Sequence, residues 1–221
     1  MKPIYKIDNL SFSYNDKKQI FSQFHLELDL KKITLLEGAN GSGKTTFCRL
    51  LAGLENFFSG SILLDGVNIS KLSINKISEN IVYIKQEPLA NIVASTADED
   101  LFIWQSKFLH NETETFAKLR KEALSKFKMK HAKDAPVWNM SGGEIKRIAL
   151  SALLLNYNKY WILDEPTAGL DKKSVGILID IIQKRKNNGY GALIVTHRIK
   201  EFEHLIDIKM QIENWKIDRI R

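Results

Sequence analysis

One octapeptide constrains this chain more than anything else in it: Gly38-Ala39-Asn40-Gly41-Ser42-Gly43-Lys44-Thr45. It follows Ile33 to Leu36, a run apolar enough for a strand covered on both faces. After it, Lys44 to Ala52 reads as a helix that Gly53 can end. Glycines let the backbone coil tightly and aim successive N–H groups into one concavity that suits phosphate oxygens. The following helix adds the positive end of its dipole. Lys44 can then reach the β- and γ-phosphates of a nucleotide, and Thr45 can offer a hydroxyl to Mg²⁺. The competing reading, a glycine-rich turn with a surface lysine, explains neither the spacing nor the strand–helix context.

A second segment adds chemistry. Trp161-Ile162-Leu163-Asp164-Glu165-Pro166 puts two acids directly after an apolar strand. Carboxylates buried without a partner are costly, and a metal ion near the phosphate loop would supply one. Neighbouring side chains on an extended chain point in opposite directions. Asp164 can therefore hold the Mg²⁺ shell while Glu165 reaches the water attacking a γ-phosphate. The alternative is a strand end capped by solvated carboxylates, and it loses weight once the phosphate loop stands beside it.

Around these segments the pattern is that of an α/β protein. Ile4 to Phe12 alternates loosely and reads as a strand, followed by a polar turn from Tyr14 to Lys18. Phe24 to Leu30 alternates strictly, as a half-buried strand at the edge of an antiparallel layer does. Ser61 to Leu64, the Asp65-Gly66 turn, Ile81 to Ile84, Trp161 to Leu163 and Ala192 to Thr196 supply further strands. Val175 to Lys186 reads as a helix, and Ile208 to Ile220 as a hairpin turning at Glu213-Asn214. From about Asn91 to Trp138 helix formers dominate, and Phe116, Leu119, Ala123, Leu124 and Phe127 recur at helical spacing. We read residues 89–150 as a helical subdomain inserted into a single domain spanning 1–221. Its last helix, Glu144 to Asn156, carries Ile145, Ile148, Ala149, Ala152 and Leu153 on one face.

That helix opens with Met140-Ser141-Gly142-Gly143-Glu144. Ser141 and Glu144 have the spacing of a capping box. Capping gives no reason for two glycines in a first turn, since glycine weakens a helix relative to alanine. Bare backbone at a helix N-terminus makes a second anion-binding surface, separate from the phosphate loop. With these residues in view, the chain resembles the nucleotide-binding subunits of the ABC transporter family. Their signature motif is usually written Leu-Ser-Gly-Gly-Gln, and Met140 and Glu144 depart from it. Tyr14, after Phe12-Ser13, resembles the aromatic that stacks on adenine. Gln86 resembles the glutamine that meets Mg²⁺ beside the contact with the membrane partner. Asp171, in Ala168-Gly169-Leu170-Asp171, matches the loop that crosses between paired domains, and His197 matches the histidine that senses the γ-phosphate.

The resemblance covers nearly the whole chain and implies much. The fold would be a P-loop NTPase of the ABC ATPase type, a mixed core sheet with an N-terminal antiparallel layer. The cofactors would be ATP and Mg²⁺, with Thr45, Gln86 and Asp164 around the metal. ATP would be held by Tyr14, Gly38, Asn40, Gly41, Ser42, Gly43, Lys44, Thr45 and Thr46. A second ATP-binding subunit, identical or related, would close the site head to tail with Ser141, Gly142, Gly143, Glu144 and Asp171. Catalysis would fall to Glu165, His197 and Gln86. An integral membrane transport subunit would be the further partner, placing the chain peripherally on the cytoplasmic face of the cell membrane. Gln86-Glu87-Pro88, followed by an apolar pair, small residues and the acids Asp98-Glu99-Asp100, resembles the energy-coupling-factor importers of vitamins and transition-metal ions.

Composition restricts the alternatives. The net charge of +7 admits nucleic acid or an anionic surface, but the lysines are scattered. The densest cluster, Lys126, Lys128, Lys130, His131 and Lys133, reads as solvated helix surface, so no nucleic-acid partner is expected. Cys48 is the single cysteine, which excludes an intrachain disulfide and fits a reducing compartment. The N-terminal residues lack the apolar stretch of a signal peptide, and no segment is long and apolar enough to span a bilayer. An exporter or lipid-extruding transporter would use the same ATPase. A soluble ABC ATPase acting on DNA or ribosomes would usually carry a long coiled-coil insertion or a duplicated domain, and neither is evident.

Overall fold

Alternation and apolar continuity sort the strands into two sheets. The computed structural model describes residues 4–14, 19–57, 59–106, 114–213 and 216–220. In chain order the strands are β1 Ile4–Ser13, β2 Gln19–Asp29, β3 Ile33–Gly38, β4 Ser59–Leu64, β5 Val67–Asn68, β6 Ile81–Ile84, β7 Tyr160–Asp164, β8 Ala192–Val195, β9 Ile208–Glu213 and β10 Lys216–Arg219. The helices are α1 Lys44–Leu51, α2 Ile74–Asn80, α3 Ala97–Ser106, α4 Glu114–Lys126, α5 Gly142–Leu155, α6 Lys172–Asn187 and α7 Ile199–Phe202. By contact density the chain falls into two compact units. The first comprises residues 1–83, 159–164 and 184–221, and the second 84–158 and 165–183.

In the first unit, β1 pairs antiparallel with β2 and β4, giving the sheet order β2-β1-β4-β5 with the strictly alternating strand at the edge, as expected. The other sheet runs β10-β9-β3-β8-β7-β6. There β3 lies parallel to β8 and β9, β7 lies parallel to β8, and the closing β9–β10 hairpin is antiparallel, so the sheet is mixed. Every residue of β7 and β8 is buried, which explains why both are apolar apart from the terminal Asp164 of β7. Phe47, Cys48, Leu50 and Leu51 of α1 join Tyr5, Phe12, Phe21 and Leu28 in the core. Arg185 is buried too. Its guanidinium stacks 4.0 Å over Trp161, donates 3.0 Å to the Gly191 carbonyl and also donates to the Lys159 carbonyl.

Helix α1 ends as its sequence predicts. Gly53 takes φ 68°, its N–H donates to Leu50 O, and the Leu54 N–H donates to Arg49 O. These paired bonds are the left-handed glycine stop.

The second unit holds α3, α4 and α5, with Ile145, Ile148, Ala149, Ala152 and Leu153 buried along α5. Two expectations need correction. On α4 the buried stripe runs through Arg120 rather than Leu119, which is 42% exposed. The Arg120 guanidinium is satisfied by Asp98 at 3.2 Å and Gln105 at 3.0 Å. The basic cluster is not one helix surface: Lys126 ends α4, Lys130 and His131 lie in a short 3-10 helix beyond it, and Lys128 and Lys133 sit in turns. Gln86 lies two residues past β6. The sequence reading also had no counterpart for α2. The turn residues 15–18 and Asn214 lie outside the described residues.

Candidate functional site

The phosphate loop joins the end of β3 to the start of α1. Ala39, Asn40 and Gly41 are exposed at its tip, and the Ser42 N–H donates 3.2 Å to Ala39 O. Gly41 and Gly43 take φ 75° and 102°, where a side chain is strained. A Cβ on Gly38 would lie 2.5 Å from Ile212 Cγ2 and 2.6 Å from its carbonyl oxygen. Gly43 caps α1 without a side-chain bond, and the first turn has no acid, so its N–H groups suit an external anion. Lys44 is buried, and its Nζ donates 2.8 Å to the carbonyls of both Gly38 and Ala39. The Ser42 hydroxyl oxygen is buried without a hydrogen-bond partner among the described residues. An orphaned hydroxyl among inward N–H groups and an ammonium fits a polyphosphate.

Other predicted residues also belong to the first unit. Thr45 is exposed and Thr46 buried. Thr46 Oγ1 lies 3.2 Å from the Tyr14 hydroxyl, either atom donating. Tyr14 is 47% exposed and packs edge-on to the buried Phe12 ring at 4.9 Å. Phe12 belongs to the core, so Tyr14 is the exposed ring of the pair. Asp164 is buried at the end of β7 and accepts a 3.3 Å hydrogen bond from the Tyr83 hydroxyl. Burial pushes the Cys48 thiol pKa well up, the Asp164 charge adds to this, and Lys44 opposes it. The hard oxygens of Thr45 and Asp164 fit Mg²⁺, which favours one or two carboxylates plus phosphates and water. Among the described residues no cluster of three His, Cys, Asp or Glu could form an all-protein metal site. His197 is exposed just past β8, in a turn where the Arg198 N–H donates 3.1 Å to Thr196 Oγ1.

In the second unit the Ser141 segment is a complete capping box. Ser141 N–H and Oγ donate 2.9 Å and 2.7 Å to Glu144 Oε2, and the Glu144 N–H donates 3.4 Å to Ser141 Oγ. The Ser141 hydroxyl, then its N–H, hold the Glu144 carboxyl below the usual range. Glu144 thus caps its own helix, a role that glutamine at this position could also fill. The two glycines differ. A Cβ on Gly142 would meet nothing within 4 Å, whereas one on Gly143 would lie 2.9 Å from the Gly169 carbonyl oxygen. Gly143 thus has a packing reason, and Gly142 has none among the described residues. Asp171 accepts 2.7 Å from the Ser174 N–H, which lowers its pKa, and faces Arg147 at 3.6 Å.

Glu165 is buried and takes φ 46°. That left-handed conformation is uncommon for a residue other than glycine and is further disfavoured before proline. Strain of this kind, about 1–3 kcal/mol, gathers at functional sites. Gln86 is exposed on a loop held by two buried side chains the sequence reading missed, Asn91 and Lys146. Lys146 left one signal: a lysine among the apolar positions of α5.

Comparison with known proteins identifies the family. The profile of the ABC transporter family matches residues 21–168. The energy-coupling factor transporter ATP-binding protein EcfA1 of Thermotoga maritima is 30% identical over 96% of this chain and 79% of its own length. An ABC transporter ATP-binding protein of Bacillus anthracis is 34% identical over 89% of this chain, which spans only 34% of that relative's length. The solved structure of cbiO1 from Clostridium perfringens, described as part of the ABC transporter complex cbiONQ, superposes with a TM-score of 0.79. It is 26% identical, with 99% of this chain and 88% of that one covered. The chain belongs to the ABC transporter family, as an ATP-binding domain of the kind that hydrolyses ATP. Among its described residues, no helix is long and apolar enough to cross a membrane.

Proposed function

We propose that the chain is a single nucleotide-binding domain, with residues 89–150 as its helical insertion, that powers import of a vitamin or transition-metal ion through a separate membrane subunit. The observation that carries most weight is the phosphate loop, with its inward lysine and orphaned Ser42 hydroxyl, in a chain 30% identical to an energy-coupling factor ATP-binding protein. Lys44 and the loop N–H groups bind the phosphates, Tyr14 stacks on the base, and Thr45, Asp164 and Gln86 hold Mg²⁺. When bound, Mg²⁺ neutralises phosphate charge. Glu165 accepts a proton from the attacking water, and His197 senses the γ-phosphate. Ser141, Gly142, Gly143, Glu144 and Asp171 act across the interface with a second ATP-binding subunit, which ATP closes and hydrolysis reopens. The chain works peripherally at the cytoplasmic face of the membrane.

The test is reconstitution of the chain with the membrane protein that co-purifies from detergent-solubilised membranes. Vesicles bearing the ATPase outside and loaded with cobalt, nickel or a vitamin should release it into the outer medium when ATP and Mg²⁺ are added. ATP-driven movement from the medium into the vesicles would identify an exporter instead. ATPase stimulation by DNA or ribosomes, with no membrane partner, would contradict the transport reading.

A further inference from the structure

Lys146 is 0% exposed in the second turn of α5, between the buried residues Ile145 and Ile148. Removing an ammonium from water is expensive unless hydrogen bonds replace hydration. An apolar side chain of similar length would fill the same space, so packing alone does not call for lysine. Its Nζ donates 2.8 Å to the Lys85 carbonyl and 3.1 Å to the Gln86 carbonyl. The same loop is held by Asn91, itself buried. Asn91 Oδ1 accepts 2.7 Å from the Lys85 N–H, and its Nδ2 donates to the carbonyls of Lys85 at 3.1 Å, Glu87 at 2.8 Å and Pro88 at 3.2 Å.

The backbone around Gln86 is therefore committed to two buried side chains, while the Gln86 side chain stands exposed. Helix α5, which carries Lys146, begins with Gly142 and Gly143 and is capped by Ser141. One lysine thus ties the Gln86 loop to the helix of the second anion-binding surface.

We infer that Lys146 is a positioning residue, fixing Gln86 for its metal and coupling that loop to the Ser141 motif of the same subunit. Lys146 touches neither nucleotide nor metal, and acts through the Gln86 carbonyl. The inference rests on the proposed role of Gln86 in the Mg²⁺ shell.

Mg²⁺ titration of ATPase activity at saturating ATP tests it, with Gln86→Ala, Lys146→Met and the double variant beside the parent chain. Methionine keeps length and helix propensity while removing the donor. Lys146→Met should raise the half-saturating Mg²⁺ concentration roughly 10-fold, as loss of a group supporting a metal ligand does. Gln86→Ala should raise it at least as much, and the double variant should match Gln86→Ala because both act on one element. Asn91→Ala, which frees the loop from its other side, should give the same shift and the same non-additivity. A purely structural lysine would lower thermal stability and active fraction, leave the Mg²⁺ requirement unchanged and add to Gln86→Ala. A normal Mg²⁺ requirement in Gln86→Ala would overturn the role of Gln86, and this inference with it. A shifted Gln86→Ala beside unshifted Lys146→Met and Asn91→Ala would overturn the positioning role alone.

Discussion

Alanine at Gly142 and at Gly143 should move stability in opposite directions, although both residues lie in the first turn of α5. Glycine to alanine in a helix interior gains up to about 1 kcal/mol, and less in a first turn. At Gly142 nothing within 4 Å opposes an added Cβ. Gly142→Ala should therefore stabilise the fold by a few tenths of a kcal/mol up to about 1 kcal/mol. At Gly143 the Cβ would lie 2.9 Å from the Gly169 carbonyl oxygen, backbone that cannot swing aside as a flexible side chain does. Overpacking of this kind costs about 1–3 kcal/mol, so the net effect should be a loss of about 0.5–2 kcal/mol after the helix gain. Urea unfolding midpoints at constant slope measure both. The functional expectation separates from stability at Gly142. If bare backbone there must approach a phosphate of the paired subunit, Gly142→Ala should lower ATPase activity while making the chain more stable. A destabilised Gly142→Ala, or a stabilised Gly143→Ala, would refute the geometric reasoning. A fully active Gly142→Ala would refute the interface role.

Three further outcomes follow from the site. Lys44→Ala should weaken binding of labelled ATP with Mg²⁺ strongly, because the buried ammonium is the cation of the phosphate loop; unchanged affinity would contradict the assignment. Tyr14→Ala should raise the KM for ATP more than it lowers kcat, as loss of uniform binding does, and a normal KM would put the adenine elsewhere. The Glu144 carboxyl titrates lower in the folded chain than in the unfolded one. Its charge therefore contributes stability that is complete above the unfolded carboxylate range and is lost as pH falls through the lowered value. Glu144→Gln should lie below the parent chain in stability at neutral pH and converge with it in acid, as urea unfolding across that range would reveal.

Much of this architecture was legible because its signals are local. Strict alternation from Phe24 to Leu30 placed an edge strand, and the apolar runs ending at Leu36, Leu163 and Thr196 marked the buried sheet. Gly53 marked the end of α1 through a φ that only glycine adopts freely. The misses share a cause, since a buried polar group looks in sequence like surface. Arg120 and Leu119 are neighbours on one helix, and only Asp98 and Gln105, far along the chain, decide which of them turns inward. Lys146 and Asn91 are likewise explained by backbone carbonyls that no spacing rule predicts. Helix α2 is too short and polar to show an apolar period. The strain at Glu165 was invisible because its side chain does not announce a left-handed backbone.

The central claim, that this chain binds and hydrolyses ATP with Glu165 as the base, is tested most directly by Glu165→Gln. The substitution keeps size and hydrogen bonding while removing the basic carboxylate. Steady-state phosphate release and size-exclusion chromatography with ATP and Mg²⁺ should be measured together, with Asp164→Asn as the neighbouring control. Glu165→Gln should still bind ATP and Mg²⁺, because Lys44, Thr45 and Asp164 remain. Hydrolysis should fall by roughly 10²-fold or more, the scale of a positioned acid–base group. A pair that cannot cleave ATP should persist, so added ATP should move this variant toward the dimer. Asp164→Asn should instead impair the Mg²⁺ response. Near-normal turnover of Glu165→Gln at saturating Mg²⁺ would contradict the account.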